Sequence, residues 1–361
     1  MKGAGRVARL QSLADGVVRV GPRVIHLDVT NACNARCLTC WDHSPRVSRP
    51  AAWKRQQQDI GPLTQILDEA LALGGLEAVI LSGMGEPFVH PEIASLVAAV
   101  KQRGLHLTVI TNLVAADPAL ILEQQVDQLL VGIHAASLPT YLAFHPGFDE
   151  SHWARLHAAL AQFCAAGRRF KQVQVICATN AHELVGMVEL AAQYQAAQVN
   201  FKLASLDDSR ADLRIADQQR GWLLGEGIAA AEAVAQRLGT RTNLAVFRQQ
   251  VIPGGGATAP MAQVGCFLGY DYCRITADGT ALYCCNSQTK VGRVGAPADF
   301  SRLWQGPAWE ALRLRLAQGR FLPGCDQCGK LDENLRLASR YRERFGTQPR
   351  AGVAERVESA R

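Results

Sequence analysis

Three cysteines lie close together near the start of the chain, in the order Cys33-x3-Cys37-x2-Cys40. They follow residues 24–30, an apolar and β-branched segment that predicts a strand, so the thiols lie in a loop at its carboxyl end. Three thiolates suit a soft metal centre. A structural zinc site takes four ligands, and only His43 follows closely enough to be the fourth. A 4Fe–4S cluster held by three cysteines instead keeps one iron open for a further ligand.

A second set of four cysteines lies near the other end of the chain, as Cys266-x12-Gly279-x4-Cys284 followed by Cys325-x2-Cys328. The glycine of this pattern follows an aspartate, and Asp-Gly is a hairpin turn signal. The hairpin would bring Cys284 back beside the start of its first strand. Four cysteines spaced in this way can hold a zinc ion in a ribbon-like site or a second iron–sulfur cluster.

The composition limits the class of protein and its compartment. The chain has 361 residues, a formal net charge of +6 and 11 cysteines. The positive charge is too diffuse to predict a nucleic-acid partner. No apolar run reaches membrane-spanning length, and the N-terminal residues lack a signal-peptide core. We therefore expect no membrane association and a cytoplasmic location, where cysteines serve metal or redox chemistry rather than disulfides.

Strand and helix patterns alternate six times along the first part of the chain. The predicted strands are residues 24–30, 78–81, 107–110, 129–133, 173–177 and 199–203. This alternation predicts an α/β fold with parallel strands and right-handed crossovers. In such folds the site lies at the carboxyl ends of the strands. Beyond them we predict a long helix over 216–238 and a short strand over 242–247.

Residues suited to ligand binding follow three of these strands. Ser82-Gly-Met-Gly-Glu-Pro87 comes directly after the second strand. Its glycines would let the backbone approach a ligand closely, and the carboxylate of Glu86 can accept hydrogen bonds from an ammonium group. Thr111 and Asn112 end the third strand, and His134 ends the fourth. Strand-end capping and turn formation explain these last three residues equally well.

The first cysteine loop and the glycine motif together resemble the radical S-adenosylmethionine (radical SAM) superfamily. The resemblance implies a partial (β/α)6 TIM-like barrel and a 4Fe–4S cluster whose open iron binds S-adenosylmethionine (SAM). It implies that the cluster is held by Cys33, Cys37 and Cys40. It implies that SAM is contacted by Gly83, Gly85, Glu86, Pro87, Thr111, Asn112 and His134. The family has an aromatic residue just before the third cysteine, where this chain has Thr39, so Trp41 is the candidate for part of the adenine contact.

The second cysteine set resembles the twitch, or half-SPASM, domain of radical SAM enzymes. This implies an auxiliary 4Fe–4S cluster held by Cys266, Cys284, Cys325 and Cys328. Cys273 lies near enough to replace Cys266, although only Cys266 has the family's interval, and a four-cysteine zinc ribbon is the alternative to a cluster. The predicted divisions are an N-terminal extension over 1–21, the barrel over 22–240, the twitch/SPASM-like domain over 241–330 and a charged helix and tail over 331–361.

The resemblance implies an enzyme that cleaves SAM to a 5′-deoxyadenosyl radical, which abstracts a hydrogen atom from the substrate. We expect an oxidoreductase that dehydrogenates a small polar molecule such as a sugar or aminocyclitol. The reason is that only some 22 residues precede the first strand, too few for an N-terminal peptide-recognition domain. An electron donor such as flavodoxin or ferredoxin is also implied.

Three alternatives remain open at this point. The enzyme could modify a ribosomal peptide, or it could epimerise a substrate with a cysteine as hydrogen-atom donor. Cys177, which ends the fifth strand, is the candidate donor, and core packing is its other explanation. A non-enzymatic alternative is an iron–sulfur redox sensor or scaffold.

Overall fold

A nine-stranded sheet organises the chain in the computed structural model, which describes residues 2–255, 261–287, 289–325 and 328–347. The strands are β1 (Val24–Asp28), β2 (Ala78–Ser82), β3 (His106–Thr111), β4 (Gln128–Gly132), β5 (Lys171–Ile176), β6 (Gln198–Leu203), β7 (Tyr272–Ile275), β8 (Thr280–Leu282) and β9 (Lys290–Arg293). The α-helices are α1 (Lys2–Asp15), α2 (Ala51–Lys54), α3 (Ile60–Ala72), α4 (Ile93–Gln102), α5 (Pro118–Glu123), α6 (Leu138–Phe144), α7 (Glu150–Ala165), α8 (Leu184–Gln193), α9 (Asp217–Trp222), α10 (Ile228–Leu238), α11 (Leu244–Val251), α12 (Met261–Val264), α13 (Asp299–Trp304), α14 (Pro307–Ala317) and α15 (Leu331–Phe345). Each described helix is too short or too polar to cross a bilayer.

The first six strands are parallel and lie side by side in chain order, from β1 to β6. This confirms the α/β fold predicted from the alternation of strands and helices. Among the described strands, β1 and β6 do not pair with each other, and the edges of the sheet are β6 and β9, so the six parallel strands do not close into a complete barrel. The architecture is therefore a partial barrel, as predicted.

Alternate residues of each strand point to opposite faces of the sheet. Val79 and Leu81 of β2 are fully buried in the core formed with the helices, whereas Ile80 and Ser82 keep partial exposure on the other face. We call this second face the inner face. The register aligns Ile80 with His26 of β1, so the inner face is continuous across the strands.

The C-terminal part of the chain continues the same sheet. β7 pairs in parallel with β1, and β8 and β9 follow it in antiparallel pairing. The predicted hairpin turn lies between β7 and β8, where Gly279 has a φ of +80° and a Cβ would lie 2.4 Å from the carbonyl oxygen of Val294. Arg274 of β7 also bonds to the carboxylate of Asp28 in β1 at 2.7–2.9 Å. The two predicted domains are therefore joined by backbone pairing and by a buried ion pair.

The N-terminal extension forms α1, which packs on α15 at the opposite end of the chain. Leu10 and Leu13 of α1 share a buried apolar cluster with Tyr341. Arg9 donates a hydrogen bond to the carbonyl oxygen of Tyr270 at 3.0 Å. The same side chain donates to the carbonyl oxygen of Gly75 at 2.9 Å, so the extension contacts both the C-terminal part of the chain and the segment between α3 and β2.

Tertiary packing changes two predictions for the region after β6. The predicted long helix is present as α9 and α10, joined by a π-helical turn over Leu223–Gly227. The predicted strand over 242–247 is wrong, because the chain forms α11 there. Leu244 and Phe247 lie on one face of α11 and pack with Phe201 of β6, with the two phenyl centroids 5.9 Å apart. Burial of this helical face outweighs the local preference for a strand.

Candidate active site

The three cysteines of the first loop lie together beyond the carboxyl end of β1. The backbone N–H groups of Ala35 and His43 donate to the sulfurs of Cys33 and Cys40, at 3.4 Å and 3.2 Å. Burial raises the pKa of the Cys33 thiol to about 12, and the nearby Cys40 contributes to that rise. Burial also raises the pKa of Cys37, with contributions from the other two thiols. Metal binding deprotonates its thiol ligands, so three neighbouring half-buried thiols, two of which accept from backbone amides, fit the site of a cluster.

The glycine motif packs against the backbone that leads into the cysteine loop. A Cβ on Gly83 would lie 2.7 Å from the Cβ of Asp28, and one on Gly85 would lie 2.1 Å from the carbonyl oxygen of Ala32. Gly83 also has a φ of +137°, which favours glycine. These contacts explain both glycines by the close approach of two strand ends, whereas the sequence predicted that they make room for a ligand.

Glu86 joins the ends of β2 and β3 through its buried carboxylate. Oε1 accepts hydrogen bonds from the Thr111 hydroxyl at 2.7 Å and from the Phe88 N–H at 3.2 Å. Oε2 accepts from the Asn112 N–H at 2.7 Å. Burial raises the pKa of Glu86 to about 7, and these three donors oppose the rise. The carboxylate therefore places Thr111 and Asn112, and the direct SAM contact that the sequence predicted for it stays a prediction.

Asn112 extends this network to the cysteine loop. Its side-chain amide donates to Oδ1 of Asn34 at 2.8 Å, and its own Oδ1 accepts from the Val114 N–H at 2.9 Å. The intervening Leu113 has a φ of +69°, a conformation that a branched residue rarely adopts. Three of the residues predicted to contact SAM, Glu86, Thr111 and Asn112, thus belong to one hydrogen-bonded unit beside the cysteines.

His134 holds a fixed orientation just after β4. It has a φ of +63°, and its Nδ1 accepts a hydrogen bond from the Val175 N–H at 3.0 Å, which places the proton of the neutral ring on Nε2. A Cβ on Gly132 would lie 2.9 Å from this Nε2, so glycine leaves room for the ring. Burial lowers the pKa of His134 to about 3. The ring is therefore a neutral hydrogen-bond donor at neutral pH.

Trp41 and Arg210 lie beside Cys40, the third cysteine of the first loop. The Trp41 side chain is 50% exposed, and the guanidinium of Arg210 lies 4.5 Å from its ring centroid. Arg210, which follows β6, is fully buried and donates to the carbonyl oxygens of Thr39 and Cys40. The adenine contact of Trp41 stays a prediction. Nothing in the local sequence pattern indicates Arg210, because 170 residues separate it from Cys40.

Cys177 lies just after β5 in a small apolar cluster. It is 1% exposed and clusters with Phe144 and Leu213, against which Cys37 and Leu38 of the cysteine loop pack. Burial raises the pKa of its thiol. The packing explanation therefore accounts for its position, and its role as a hydrogen-atom donor stays a prediction.

The second cysteine set comes together beside β7 and β8. Burial raises the pKa of Cys266 to about 12, and the nearby Cys328 and Cys325 contribute to it. Cys284 accepts a hydrogen bond from the Asn286 N–H at 3.3 Å. Residues 326 and 327, between the last two cysteines, lie outside the described residues. The fold thus brings together the four cysteines that the sequence predicted as ligands of the auxiliary cluster.

Cys273, the possible replacement for Cys266, is placed differently. It is fully buried in β7, opposite Ile25 in the register, and burial alone raises its pKa. In the described part of the chain, no three His, Cys, Asp or Glu side chains gather closely enough to bind a single metal ion. A 4Fe–4S cluster has a wider arrangement, because each thiolate binds a different iron. The geometry therefore favours Cys266 over Cys273 as a cluster ligand.

Sequence reasoning missed a buried polar network on the inner face. His26 Nδ1 lies 2.7 Å from the Tyr272 hydroxyl and His26 Nε2 lies 2.8 Å from the Ser82 hydroxyl. Next to it is the ion pair of Asp28 and Arg274. The alternation of polar and apolar residues in β1 was a usable signal for His26 and Asp28. No local signal indicates that Tyr272 and Arg274 face them, because β7 reaches β1 only through sheet pairing.

Two family models match the chain. One is described as the radical SAM superfamily and matches residues 27–163. The other is described as an iron–sulfur cluster-binding domain of the SPASM type and matches residues 266–329. The two matches contain the first and second cysteine sets, respectively.

The relatives found by sequence include two proteins that differ in how much of this chain they match. The PqqA peptide cyclase of Xanthomonas euvesicatoria is 27% identical over 283 residues, which is 75% of this chain and 70% of the relative. The tungsten-containing aldehyde ferredoxin oxidoreductase cofactor-modifying protein of Pyrococcus furiosus is 32% identical over 92 residues. That second match covers 25% of this chain, and the chain spans only 24% of that relative's length.

The solved structures that share the fold include the following two groups. SuiB of Streptococcus suis bound to S-adenosylmethionine has a TM-score of 0.60 at 15% identity, covering 85% of this chain and 71% of that one. The protein anSMEcpe with bound AdoMet has a TM-score of 0.60 at 13% identity, covering 86% of this chain and 84% of that one. Both extend over the barrel and the C-terminal part of the chain, so they confirm the predicted fold class.

Proposed function

Since this chain belongs to the radical SAM superfamily and carries a SPASM-type iron–sulfur domain, we propose that it modifies a peptide. Its cofactors are accordingly SAM and 4Fe–4S clusters. The observation that carries the proposal is the similarity to the PqqA peptide cyclase. A match covering 75% of the chain is long enough to include parts of both domains. The structure of SuiB bound to the precursor peptide SuiA shares the fold of this chain, with a TM-score of 0.60.

The prediction of a small-molecule substrate is wrong. It depended on the small number of residues before β1. A relative that matches 75% of this chain is a peptide cyclase. In this chain those first residues form α1 and pack on α15, so their number carries no information about the substrate. Peptide modification, one of the three alternatives from the sequence, replaces the prediction of a sugar or aminocyclitol substrate.

In this proposal the first loop is the SAM site. Cys33, Cys37 and Cys40 would hold the cluster. The cluster would supply the electron that cleaves SAM, and the radical formed from SAM would abstract a hydrogen atom from the substrate. Glu86 fixes the ends of β2 and β3 beside the loop through hydrogen bonds of 2.7–3.2 Å. His134 presents a neutral N–H whose orientation is set by Val175. These preorganised groups bind and orient SAM with little reorganisation when it arrives.

The second cysteine set is the auxiliary cluster site. Cys266, Cys284, Cys325 and Cys328 are the proposed ligands, and the effect of the nearby Cys325 and Cys328 on the pKa of Cys266 supports this choice. The site is joined to the barrel by the pairing of β7 with β1. Metal analysis of protein purified without oxygen tests the assignment, because zinc bound by these four residues would contradict it.

Beside its polar network, the inner face offers the substrate an apolar strip. Ile80, Ile110, Leu130 and Val173 share this face and keep partial exposure. Saturated side chains around a reactive radical keep water and other reactive groups away from it. We propose that the peptide side chain to be modified enters along this face from the carboxyl ends of the strands.

The proposal is tested by anaerobic incubation of reconstituted protein with SAM, a chemical reductant and synthetic peptides encoded by short reading frames beside its gene. We expect 5′-deoxyadenosine to form with a peptide present, together with loss of two hydrogen atoms from the peptide by mass spectrometry. Deuterium uptake from heavy water without loss of hydrogen would indicate epimerisation instead. The variant with Cys33, Cys37 and Cys40 all changed to Ala is the control. Turnover of aminocyclitols or sugars, with none of any peptide, would contradict the proposal.

A further inference from the structure

Arg210 is a buried cation in contact with the last cysteine of the first loop. It lies in the 3₁₀ segment Asp208–Leu213 after β6 and is fully buried. Its Nη1 donates to the carbonyl oxygens of Thr39 at 3.1 Å and Cys40 at 2.7 Å. Nε and Nη2 bond to the carboxylate of Asp207 at 3.2 Å and 2.8 Å. The guanidinium therefore lies between a carboxylate and the backbone of the cysteine loop.

This contact joins two parts of the barrel that the sheet leaves apart. Among the described strands, β1 and β6 are not neighbours, and the cysteine loop follows β1 while Arg210 follows β6. An ion pair, Arg46 with Asp212, joins the same two segments at the surface, with side chains 40% and 59% exposed. The buried Arg210 contact and the exposed Arg46 contact therefore join the same two segments but differ in their exposure to solvent.

A buried guanidinium is costly unless its bonds are made, and an apolar pair of similar volume is often as stable. Stability alone is therefore a weak reason for an arginine at this position. The place of its charge, beside the cysteine loop, indicates an effect on the reduction potential of the cluster. The reduction potential of an iron–sulfur cluster depends on net charge, hydrogen bonding and exposure near the cluster. A positive charge beside Cys40 favours the added electron, and Asp207, on the far edge of the guanidinium, partly cancels that charge.

We propose that Arg210 is a positioning residue for the SAM-binding cluster. Arg210 holds the Cys40 end of the loop, and its charge makes the cluster easier to reduce. The role concerns the cluster before any substrate binds, so it goes beyond the peptide proposal and does not depend on it. The charge acts through the loop that carries Cys40, and the fork of the guanidinium fixes where that charge lies.

The test is a reductive titration of the reconstituted full chain, without peptide, followed by electron paramagnetic resonance. The part of the signal that changes when SAM is added reports the SAM-binding cluster. In Arg210→Met we expect the reduction equilibrium to become about tenfold less favourable, a shift of about 59 mV to more negative potential for one electron. In Asp207→Asn we expect a smaller shift to more positive potential, because a negative charge is lost. Arg210→Lys, which keeps the charge, restores most of the potential.

Arg46→Gln is the matched control, since it removes the exposed contact between the same two segments and is expected to leave the potential and iron content unchanged. If Arg210→Met loses the first cluster, Asp207→Asn and Arg210→Lys still report the sign of the effect in loaded protein. Two results would overturn the proposal. One is an unchanged potential in Arg210→Met with full iron content. The other is a shift of the same sign in Arg210→Met and Asp207→Asn, which a purely structural disturbance would give.

Discussion

The two cysteine sets of this chain are assembled in opposite ways. In the first set three cysteines lie within eight residues, but the groups around them come from the segments after β2, β3, β4 and β6. In the second set the cysteines are spread over 63 residues, and the β7–β8 hairpin and the segment between α14 and α15 bring them together. The first set is therefore easy to find and its surroundings are hard to predict. The members of the second set were also predicted from their spacing, but only the fold separates Cys266 from its possible replacement Cys273.

The largest expected effect separates the two sets by function. Changing Cys33, Cys37 and Cys40 to Ala should abolish SAM cleavage and remove about half of the iron, because three of the seven proposed ligands hold the only cluster with an open iron. Iron analysis and 5′-deoxyadenosine formation measure the two effects. SAM cleavage that survives in this variant would mean that the wrong set has been assigned to SAM.

The next effect tests the composition of the second set. Cys266→Ala should lose about half of the iron while SAM cleavage continues, because the auxiliary cluster loses a ligand. Cys273→Ala is the matched control, since Cys273 is equally buried but lies away from the other cysteines. Iron loss in Cys273→Ala with retention in Cys266→Ala would reverse the assignment.

The third effect is the acid sensitivity of the site around the first cysteine set. The pKa of His134 is lowered from 6.5 to about 3 by burial, so the folded protein resists protonation that the unfolded chain accepts. The contribution of neutral His134 to the free energy of unfolding is therefore fully present above about pH 6.5. It falls as the pH drops, by about 3 kcal/mol at about pH 4. His134→Asn suits the left-handed backbone and should show a weaker pH dependence. Denaturant unfolding of both proteins at several pH values measures the difference, and equal pH dependence would contradict the explanation.

The fourth effect concerns the network that joins β2 and β3. Glu86→Gln replaces an acceptor with an amide group that cannot accept from all three donors of the carboxylate. Leaving a buried donor unpaired costs about 1–3 kcal/mol, so SAM affinity should fall roughly tenfold while iron content stays the same. Equilibrium binding of SAM to the reconstituted protein gives the result. Unchanged affinity would show that this network does not shape the SAM site.

The smallest effect is expected at Cys177. Because this thiol packs with Phe144 and Leu213, Cys177→Ala should cost about 1 kcal/mol of unfolding free energy through a small cavity. Turnover should remain within a few-fold of the original. An enzyme that stops after one turnover would instead identify Cys177 as the hydrogen-atom donor of an epimerase.

The sequence was informative wherever a signal was local. The cysteine spacing and the glycine motif predicted the SAM and cluster chemistry, and strand–helix alternation predicted the parallel sheet that the structure confirms. Reasoning from the residues before β1 failed, because a count of residues does not specify where a segment packs. The strand predicted over 242–247 failed because contact with Phe201 of β6 decides its conformation.

The amino-acid sequence by itself determined the cofactor chemistry, because thiol spacing and glycine positions within a few residues specify it. Tertiary structure decided which groups surround that chemistry. Glu86 bonds to Thr111 and Asn112, Arg210 reaches Cys40, and Arg274 reaches Asp28, across 25 to 246 residues of chain. Such pairs form because parallel strands bring their carboxyl ends to one edge of the sheet and because buried polar groups must find partners. Neither requirement has a local pattern in the sequence.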